Sequence, residues 1–306
     1  MPRKSLLLLA LLAALLALPA AARAEDPPFT AWTNLLPGAP GLAYEPTSAD
    51  ECVSGKLVCV DKVVREMTRR FDALAARCDH NAIFALTYLR TTEEYRRAAT
   101  TPGFFADPAF VNHEDAVFAA FYFRAFDDYA AGRRSAVPAA WRIAFDAARD
   151  RSVSSSGNVF LGMSAHINRD LPYVLEAVGL VAPDGRSRKP DHDKVNEFLN
   201  RVSDTIFPEI ARRFDPTADD GGIDGTLMDD WASFQIVPSW REQAWRNAER
   251  LATARTSLER ATVEASIEAF AEREALALRS ATAYRTLLGE SSAARDAHCA
   301  VHHGDA

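Results

Sequence analysis

The feature that most restricts the fold is a run of 50 residues, 239–288, that contains neither proline nor glycine. It is rich in Ala, Glu, Arg and Leu, which lose little conformational freedom in a helix. One straight helix of this length would extend about 75 Å at 1.5 Å per residue, which is too long for a compact domain. The run therefore predicts two helices with a break near residues 253–257.

Helical spacing continues upstream. Val63, Met67 and Phe71 recur at intervals of four, a second apolar run follows Asp79, and a third, dense in aromatic residues, covers 112–131. No alternating strand pattern and no internal repeat is present. We predict an all-α fold, a single compact multi-helix domain of roughly eight to ten helices.

The N-terminus is typical of a secretory signal peptide. Arg3 and Lys4 precede an apolar run over residues 6–18, and small residues follow up to Ala24. The run is shorter than the about 20 apolar residues of a membrane span, although an uncleaved anchor is the alternative. We predict cleavage before Glu25 and export to the periplasm or the extracellular space, with no transmembrane segment in the mature chain.

Residues 25–59 form the next predicted segment, an extended lead rich in proline and glycine that includes a disulfide loop. The helical domain is predicted over 60–290 and a C-terminal tail over 291–306. His298, His302 and His303 fall in that tail and are expected to be mobile.

The chain has four cysteines, an even number that favours disulfides in an exported protein. A Ser-Gly turn between Cys52 and Cys59 predicts that these two pair, and Cys78 is left with Cys299 by elimination. A zinc site built from Cys and His is the alternative, but no Cys-x-x-Cys is present.

Charge restricts the partners. Without the three basic residues of the predicted signal peptide, 32 Lys and Arg face 42 Asp and Glu, a net charge of −10. A nucleic acid needs a basic surface, so it is excluded as the main partner. A small-molecule or lipid substrate stays compatible with the composition, and oligomeric state is not indicated.

The strongest candidate for chemistry lies in the sequence GMSAHINRDLP, residues 162–172. His166 and Asp170 are four apart and can point at a common atom if the run is helical. Pro172 cannot donate to the carbonyl of Asn168, so the helix must kink or restart there. The pair is competent either as ligands of a divalent ion such as zinc or as an oriented acid/base pair. The alternative is structural: Asp170 caps a helix and a buried His166 bonds to it.

Three further residues, on other helices, are candidates for completing a metal shell. Asp115 lies over the apolar face of its predicted helix, His113 lies on the flank, and Asp79 begins a neighbouring helix. Each also has a structural interpretation: Asp79 as an N-cap, His113 as a solvated helix-start residue, and Asp115 as a first-turn charge favoured by the helix dipole.

A nucleophilic side chain is harder to identify. No Gly-x-Ser-x-Gly is present, Ser164 lacks the strand-turn-helix context of a nucleophile elbow, and the cysteines are predicted to be bonded. A metal ion that activates water would supply the missing nucleophile.

The run 161–172 resembles the central motif of a bacterial helical domain family of unknown function, in which a small residue precedes Ala-His-Ile-Asn-x-Asp-Leu-Pro. The preceding residues similar to that family are Asp115, Phe118, Tyr122, Pro138 and Trp141. The resemblance covers about 79–199 and departs at Ser164, where the family pattern has Asn. It implies an all-α fold and no particular activity.

A looser resemblance is to the zinc-dependent phospholipase C and single-strand nuclease superfamily, whose His-x-x-x-Asp-x-x-x-Pro run supplies metal ligands. It implies a ligand role for His166 and Asp170. Here Pro172 follows Asp170 by two residues instead of four, and the mature chain begins at Glu25 instead of the Trp those enzymes use.

Two functional hypotheses follow. The first is an exported metal-dependent hydrolase of a phosphoester or lipid-like substrate, with His166 and Asp170 holding a divalent ion and Asp115, Asp79 or His113 completing the shell. The second is a non-catalytic, envelope-associated binding or structural protein in which the same residues form a buried polar network. Convergence of these side chains beside a cavity would favour the first hypothesis.

Overall fold

A computed structural model of the chain describes residues 43–218, 236–281 and 292–305. The predicted signal peptide, the lead segment up to residue 42 and residues 219–235 and 282–291 lie outside these ranges. Within them the chain is helical, with one isolated antiparallel bridge between Val181 and Ser187 and no strand. This confirms the all-α prediction. No helix of the described ranges is both long and apolar enough to cross a membrane.

The α-helices are α1 (Leu57–Ala75), α2 (Asn81–Ala99), α3 (Pro108–Ala130), α4 (Ala139–Arg149), α5 (Ser155–Ser164), α6 (Leu171–Val178), α7 (Lys189–Lys194), α8 (Asn196–Arg213), α9 (Ile236–Thr253), α10 (Ser257–Ser280) and α11 (Ser292–His302). A π-helical segment, Ala165–Asp170, joins α5 to α6 without a loop.

The predicted break in the proline-free run lies between α9 and α10. The α9 helix ends at Thr253 and α10 begins at Ser257. A capping box defines the restart: the Thr256 hydroxyl accepts the backbone N–H of Glu259 at 3.1 Å, and the Glu259 carboxylate accepts the N–H of Thr256 at 3.1 Å. In a continuous helix these two N–H groups would bond to backbone carbonyls of the preceding turn. The capping box bonds them to side chains instead.

The continuous helix from α5 through the π segment to α6 forms the centre of the fold. Every residue of α5 from Gly157 onward and every residue of the π segment is buried. The π segment accommodates Pro172, which has no N–H to donate. The helical turn before the proline is wider than an α-helical turn, and the N–H of Leu171 bonds to the carbonyl of His166. The kink predicted at Pro172 therefore occurs as a change of helix type.

Five helices surround this central element. The α2, α4 and α10 helices pack on α5, α10 and α9 on the π segment, and α3 and α9 on α6. The side chains of the π segment therefore project toward neighbours from both halves of the chain. This arrangement places the motif of residues 162–172 in the interior.

Gly162 permits the close approach of α2 to the central helix. A Cβ at this position would lie 2.2 Å from Cδ2 and 2.9 Å from Cβ of Phe84. Gly162→Ala is expected to lower the free energy of unfolding by about 1–3 kcal/mol, because Phe84 cannot move away without its backbone. Urea denaturation measures this, with Gly304→Ala, where a Cβ meets nothing within 4 Å, as the matched control. A loss at Gly162 no larger than at Gly304 would contradict the expected packing.

Both predicted disulfides are present, Cys52–Cys59 and Cys78–Cys299. The second fastens α11 to the end of α1, and Cys299 is buried there. The structure therefore differs from the predicted C-terminal tail. Residues 292–302 are helical, and His298 donates from Nε2–H to the carbonyl of Arg212 at 2.9 Å. The Cys78–Cys299 disulfide, itself predicted from the sequence, links this helix to the rest of the domain.

Candidate functional site

His166 and Asp170 are in direct contact. His166 Nδ1 lies 2.9 Å from Asp170 Oδ2, and the side chains are almost entirely buried. A carboxylate oxygen can only accept, so Nδ1 carries the hydrogen and Nε2 carries the lone pair. The ring also stacks on Phe118, with centroids 3.5 Å apart and planes within 2°. The imidazole therefore has a single tautomer and a single orientation.

Asp170 is held in turn by two further donors. Trp141 Nε1 donates to Oδ2 at 2.8 Å, and Arg169 donates to Oδ1 at 3.1 Å. Arg169 also donates from Nε to Glu268 on α10 at 2.9 Å. The buried carboxylate thus has protein donors on both oxygens, which is the condition for a buried charge to be tolerated. Asp170 therefore serves to orient the His166 ring.

Burial sets the protonation of His166. The pKa of the imidazole is lowered because burial disfavours the charged form, and this effect exceeds the opposing hydrogen bond and charge of Asp170. At neutral pH the ring is therefore uncharged. Nε2 has no hydrogen-bond partner among the described residues, so it is a base with a free lone pair.

His166 lines a cavity of about 110 Å³ between α2, α3, the central helix, α8 and α9. Asp170, which holds Nδ1 of His166, does not line it. Most of the wall is apolar, including Phe84, Phe118, Ile167, Leu171, Phe198 and Val237. A cavity of roughly 150 Å³ can accommodate benzene, so this one suits a small organic group.

Asp115 lines the same cavity from α3. Its Oδ2 atom is buried and has no hydrogen-bond partner in the described part of the chain. Burial, with a smaller contribution from the charge of Glu114, raises the pKa of Asp115 to about 8. At neutral pH Asp115 is therefore a neutral acid that can donate a proton. The cavity combines an uncharged base and an uncharged acid.

Three more polar atoms without partners belong to residues that line the cavity: the hydroxyls of Tyr88 and Thr92 on α2, and Nε of Arg241 on α9. Buried polar groups in folded proteins are almost always hydrogen-bonded. Five unpartnered polar atoms, counted over the described residues, therefore belong to the lining of one small cavity.

The other two predicted ligands lie elsewhere. Asp79 Oδ1 accepts the backbone N–H of Asn81 at 3.0 Å. The N-cap of α2 is the next residue, His80, so the N-cap interpretation of Asp79 misplaces the helix start by one residue. His113 is buried, in contrast to the solvated position considered from sequence, and its Nδ1–H donates to the carbonyl of Cys52 at 2.8 Å. It fastens the small disulfide loop to α3. Neither residue lines the cavity.

The divalent-metal hypothesis stays a prediction. Within the described ranges, one set of three His, Cys, Asp or Glu side chains has ligand atoms within 4.8 Å of one another, and it comprises Cys78, Cys299 and His303. Its sulfurs are joined in a disulfide and are not thiolate ligands. In the cavity, His166 Nε2 and Asp115 Oδ2 are the donors that could contribute to an ion, while both oxygens of Asp170 accept hydrogen bonds from the protein.

Sequence reasoning did not identify Arg241, Tyr88 or Thr92. A signal for Arg241 was present: it interrupts the apolar stripe of α9 that includes Val237, Trp240, Ala244 and Trp245. A charged residue within such a stripe needs a buried partner or a ligand. Tyr88 and Thr92 gave no comparable signal, because hydroxyls on an apolar face are ordinary core residues.

The fold and the site together define an all-α protein with an oriented histidine at an internal cavity. The chain belongs to the family of unknown function DUF5995, whose model matches residues 60–281. Those residues include the central helix and every residue that lines the cavity. No curated protein and no solved structure matches the chain.

Proposed function

We propose that this protein is a hydrolase of small, largely apolar acyl compounds, with His166 as the general base. The observation that carries the proposal is the free Nε2 of a buried, uncharged imidazole whose opposite nitrogen is bound to Asp170 beside a cavity. Acid/base histidines are oriented by this type of carboxylate contact.

The chemistry assigns a task to four of the five free polar atoms. His166 Nε2 takes a proton from a water molecule, whose oxygen attacks the acyl carbon. The Tyr88 and Thr92 hydroxyls donate to the oxygen that becomes negative. Asp115 then gives its proton to the departing oxygen, and the carboxylic acid and the alcohol are released. The proton that His166 took from water passes through solvent to Asp115, which restores both groups. Preorganised donors of this kind need no reorganisation at the moment of reaction.

The lining favours acyl over phosphoester substrates. Phosphoryl groups carry several negative charges and are stabilised by metal ions and multiple cationic side chains. Among the described residues, a single guanidinium, that of Arg241, lines this cavity, and Glu114 and Asp115 line it as well. A lipid-like or short acyl group fits the apolar wall.

Export is part of the same proposal. It is supported by two disulfides, which persist in oxidising compartments, and by the signal-type N-terminus. A divalent metal ion could also take part in the hydrolysis, bound by His166 and Asp115. Elemental analysis of the purified protein tests this, because a stoichiometric ion would support a metal-dependent hydrolase.

The pH dependence of hydrolysis tests the acid/base assignment. As pH falls through the lowered pKa of His166, below 6.5, the imidazole gains a proton and the base is lost. As pH rises through about 8, Asp115 loses its proton and the acid is lost. Hydrolysis of ethyl acetate and ethyl butyrate, whose alkoxide leaving group needs a proton from the acid, is therefore expected to follow a bell-shaped profile with its maximum between these two limits.

Asp115→Asn separates the two limbs of the profile. The amide keeps the size of the neutral acid but has no proton to transfer, so the rate is expected to fall about 10²-fold and the alkaline limb to disappear. An unchanged alkaline limb would show that another group titrates there. Absence of turnover on the ester panel, with His166 in the assigned tautomer by ¹⁵N NMR, would favour the non-catalytic binding protein.

A further inference from the structure

Arg241 is a buried cation without an ionic partner in the described structure. Arg241 is 5 % exposed. One of its terminal guanidinium nitrogens donates to the backbone carbonyl of His192 at 2.6 Å and to Nδ1 of His192 at 3.2 Å. Over the described residues, no carboxylate oxygen lies within 4.0 Å of the guanidinium, and Nε has no hydrogen-bond partner. A buried charge in this state is costly unless a ligand completes it.

The surrounding charges do not compensate this cation. Burial lowers the pKa of Arg241 to about 10, against smaller opposing effects of Glu114 and Asp193. Glu114, the acidic neighbour that also lines the cavity, lies 3.9 Å from His192 instead of contacting the guanidinium. His192 is itself uncharged, since burial and the Arg241 charge both lower its pKa.

The remaining free atoms of the cavity indicate an acceptor-rich ligand. Arg241 Nε–H can only donate, the Tyr88 and Thr92 hydroxyls can donate, and protonated Asp115 can donate. His166 Nε2 is the single obligate acceptor among the five. A carboxylate offers two strongly accepting oxygens, and a guanidinium matches its geometry.

We propose that the substrate is a small monocarboxylate: its carboxylate binds Arg241, and its apolar body of roughly four to six non-hydrogen atoms lies along the wall toward His166. This names the substrate class of the hydrolase proposed above and rests on that function. The acyl bond to be cleaved is a second group of the same molecule, within reach of His166.

The test compares butyrate with butyramide, which has nearly the same shape and no charge, by calorimetry at pH 7. Butyrate is expected to bind at least tenfold more tightly. Arg241→Met is expected to remove this preference, whereas Glu114→Gln is expected to strengthen butyrate binding, because it removes the like charge from the cavity. Equal binding of the two compounds to the wild type would overturn the proposal.

Arg188→Met is the matched control. Arg188 is also a buried arginine whose Nε lacks a partner, but it stacks over Phe110 and does not line the cavity. This variant is expected to keep the full preference for butyrate. If Arg241→Met does not fold, the NMR resonance of Arg241 Nε–H in the wild type tests the proposal instead. Butyrate is expected to shift this resonance and butyramide is not, and an equal response to both compounds would overturn the proposal.

The two proposals fail in different ways. His166→Gln is expected to leave the affinity for butyrate within threefold, because the carboxylate binds Arg241. Esterase turnover that depends on His166, together with equal binding of butyrate and butyramide, overturns the carboxylate assignment alone. A preference for butyrate that depends on Arg241, without turnover that depends on His166, supports the ligand class and overturns the catalytic function.

Discussion

Asp170→Ala is expected to lower the free energy of unfolding by about 3–5 kcal/mol, the usual cost of breaking a buried ion pair by removing one member. The substitution leaves three buried donors without their acceptor: Trp141 Nε1–H, His166 Nδ1–H and one nitrogen of Arg169. Arg169 keeps Glu268 as a partner, which limits the loss. Urea denaturation followed by circular dichroism measures the change.

Asp170→Asn provides the graded comparison. Its amide oxygen can still accept from Trp141 and His166, so we expect the loss to be smaller than for alanine. The indole N–H resonance of Trp141 reports whether that hydrogen bond survives. A loss below about 1 kcal/mol in the alanine variant, the range of an ordinary neutral hydrogen bond, would contradict the network described for this carboxylate.

His166→Gln is expected to reduce hydrolysis of ethyl butyrate about 10³-fold, equivalent to about 4 kcal/mol of activation free energy. Glutamine retains a polar side chain near Asp170 but supplies no base at neutral pH. The loss should appear in kcat, because the base acts in the transition state and contributes little to binding of the apolar substrate. Steady-state kinetics over the pH range of the wild-type maximum measure it.

His80→Gln is the matched control for this substitution. His80 is buried, its pKa is also lowered, mainly by burial, and its Nδ1 lacks a partner, yet it does not line the cavity of His166. We expect this variant to keep the wild-type rate within about twofold once the folded fraction is matched. Equal losses in the two variants would mean that stability, and not the base, accounts for the effect at His166.

The secondary structure was largely predictable because it depends on local patterns. The break between α9 and α10 follows from length alone, and Pro172 demands an irregular turn wherever it lies in a helix. The π segment itself was not predictable. A proline is compatible with a kink, a restart or a widened turn, and the packing of the surrounding helices selects among them.

The candidate site was only partly predictable. Spacing brought His166 and Asp170 together, because residues four apart on a helix share a face. It also placed Asp115 on an apolar face, but it could not separate Asp115, which lines the cavity, from Asp79 and His113, which bond to backbone groups. Those distinctions depend on which helices meet, and that is a long-range property.

By itself, the sequence determined the helical class, both disulfide pairings and the pair His166–Asp170, since these rest on periodicity, elimination and residue spacing. The tertiary structure decided what the pair does. Trp141 and Arg169 engage both oxygens of Asp170, and Arg241 comes from a helix 71 residues beyond Asp170 in the chain to line the cavity with His166. Burial then sets the charge of each group, because the cost of ionisation depends on how far the assembled helices exclude water.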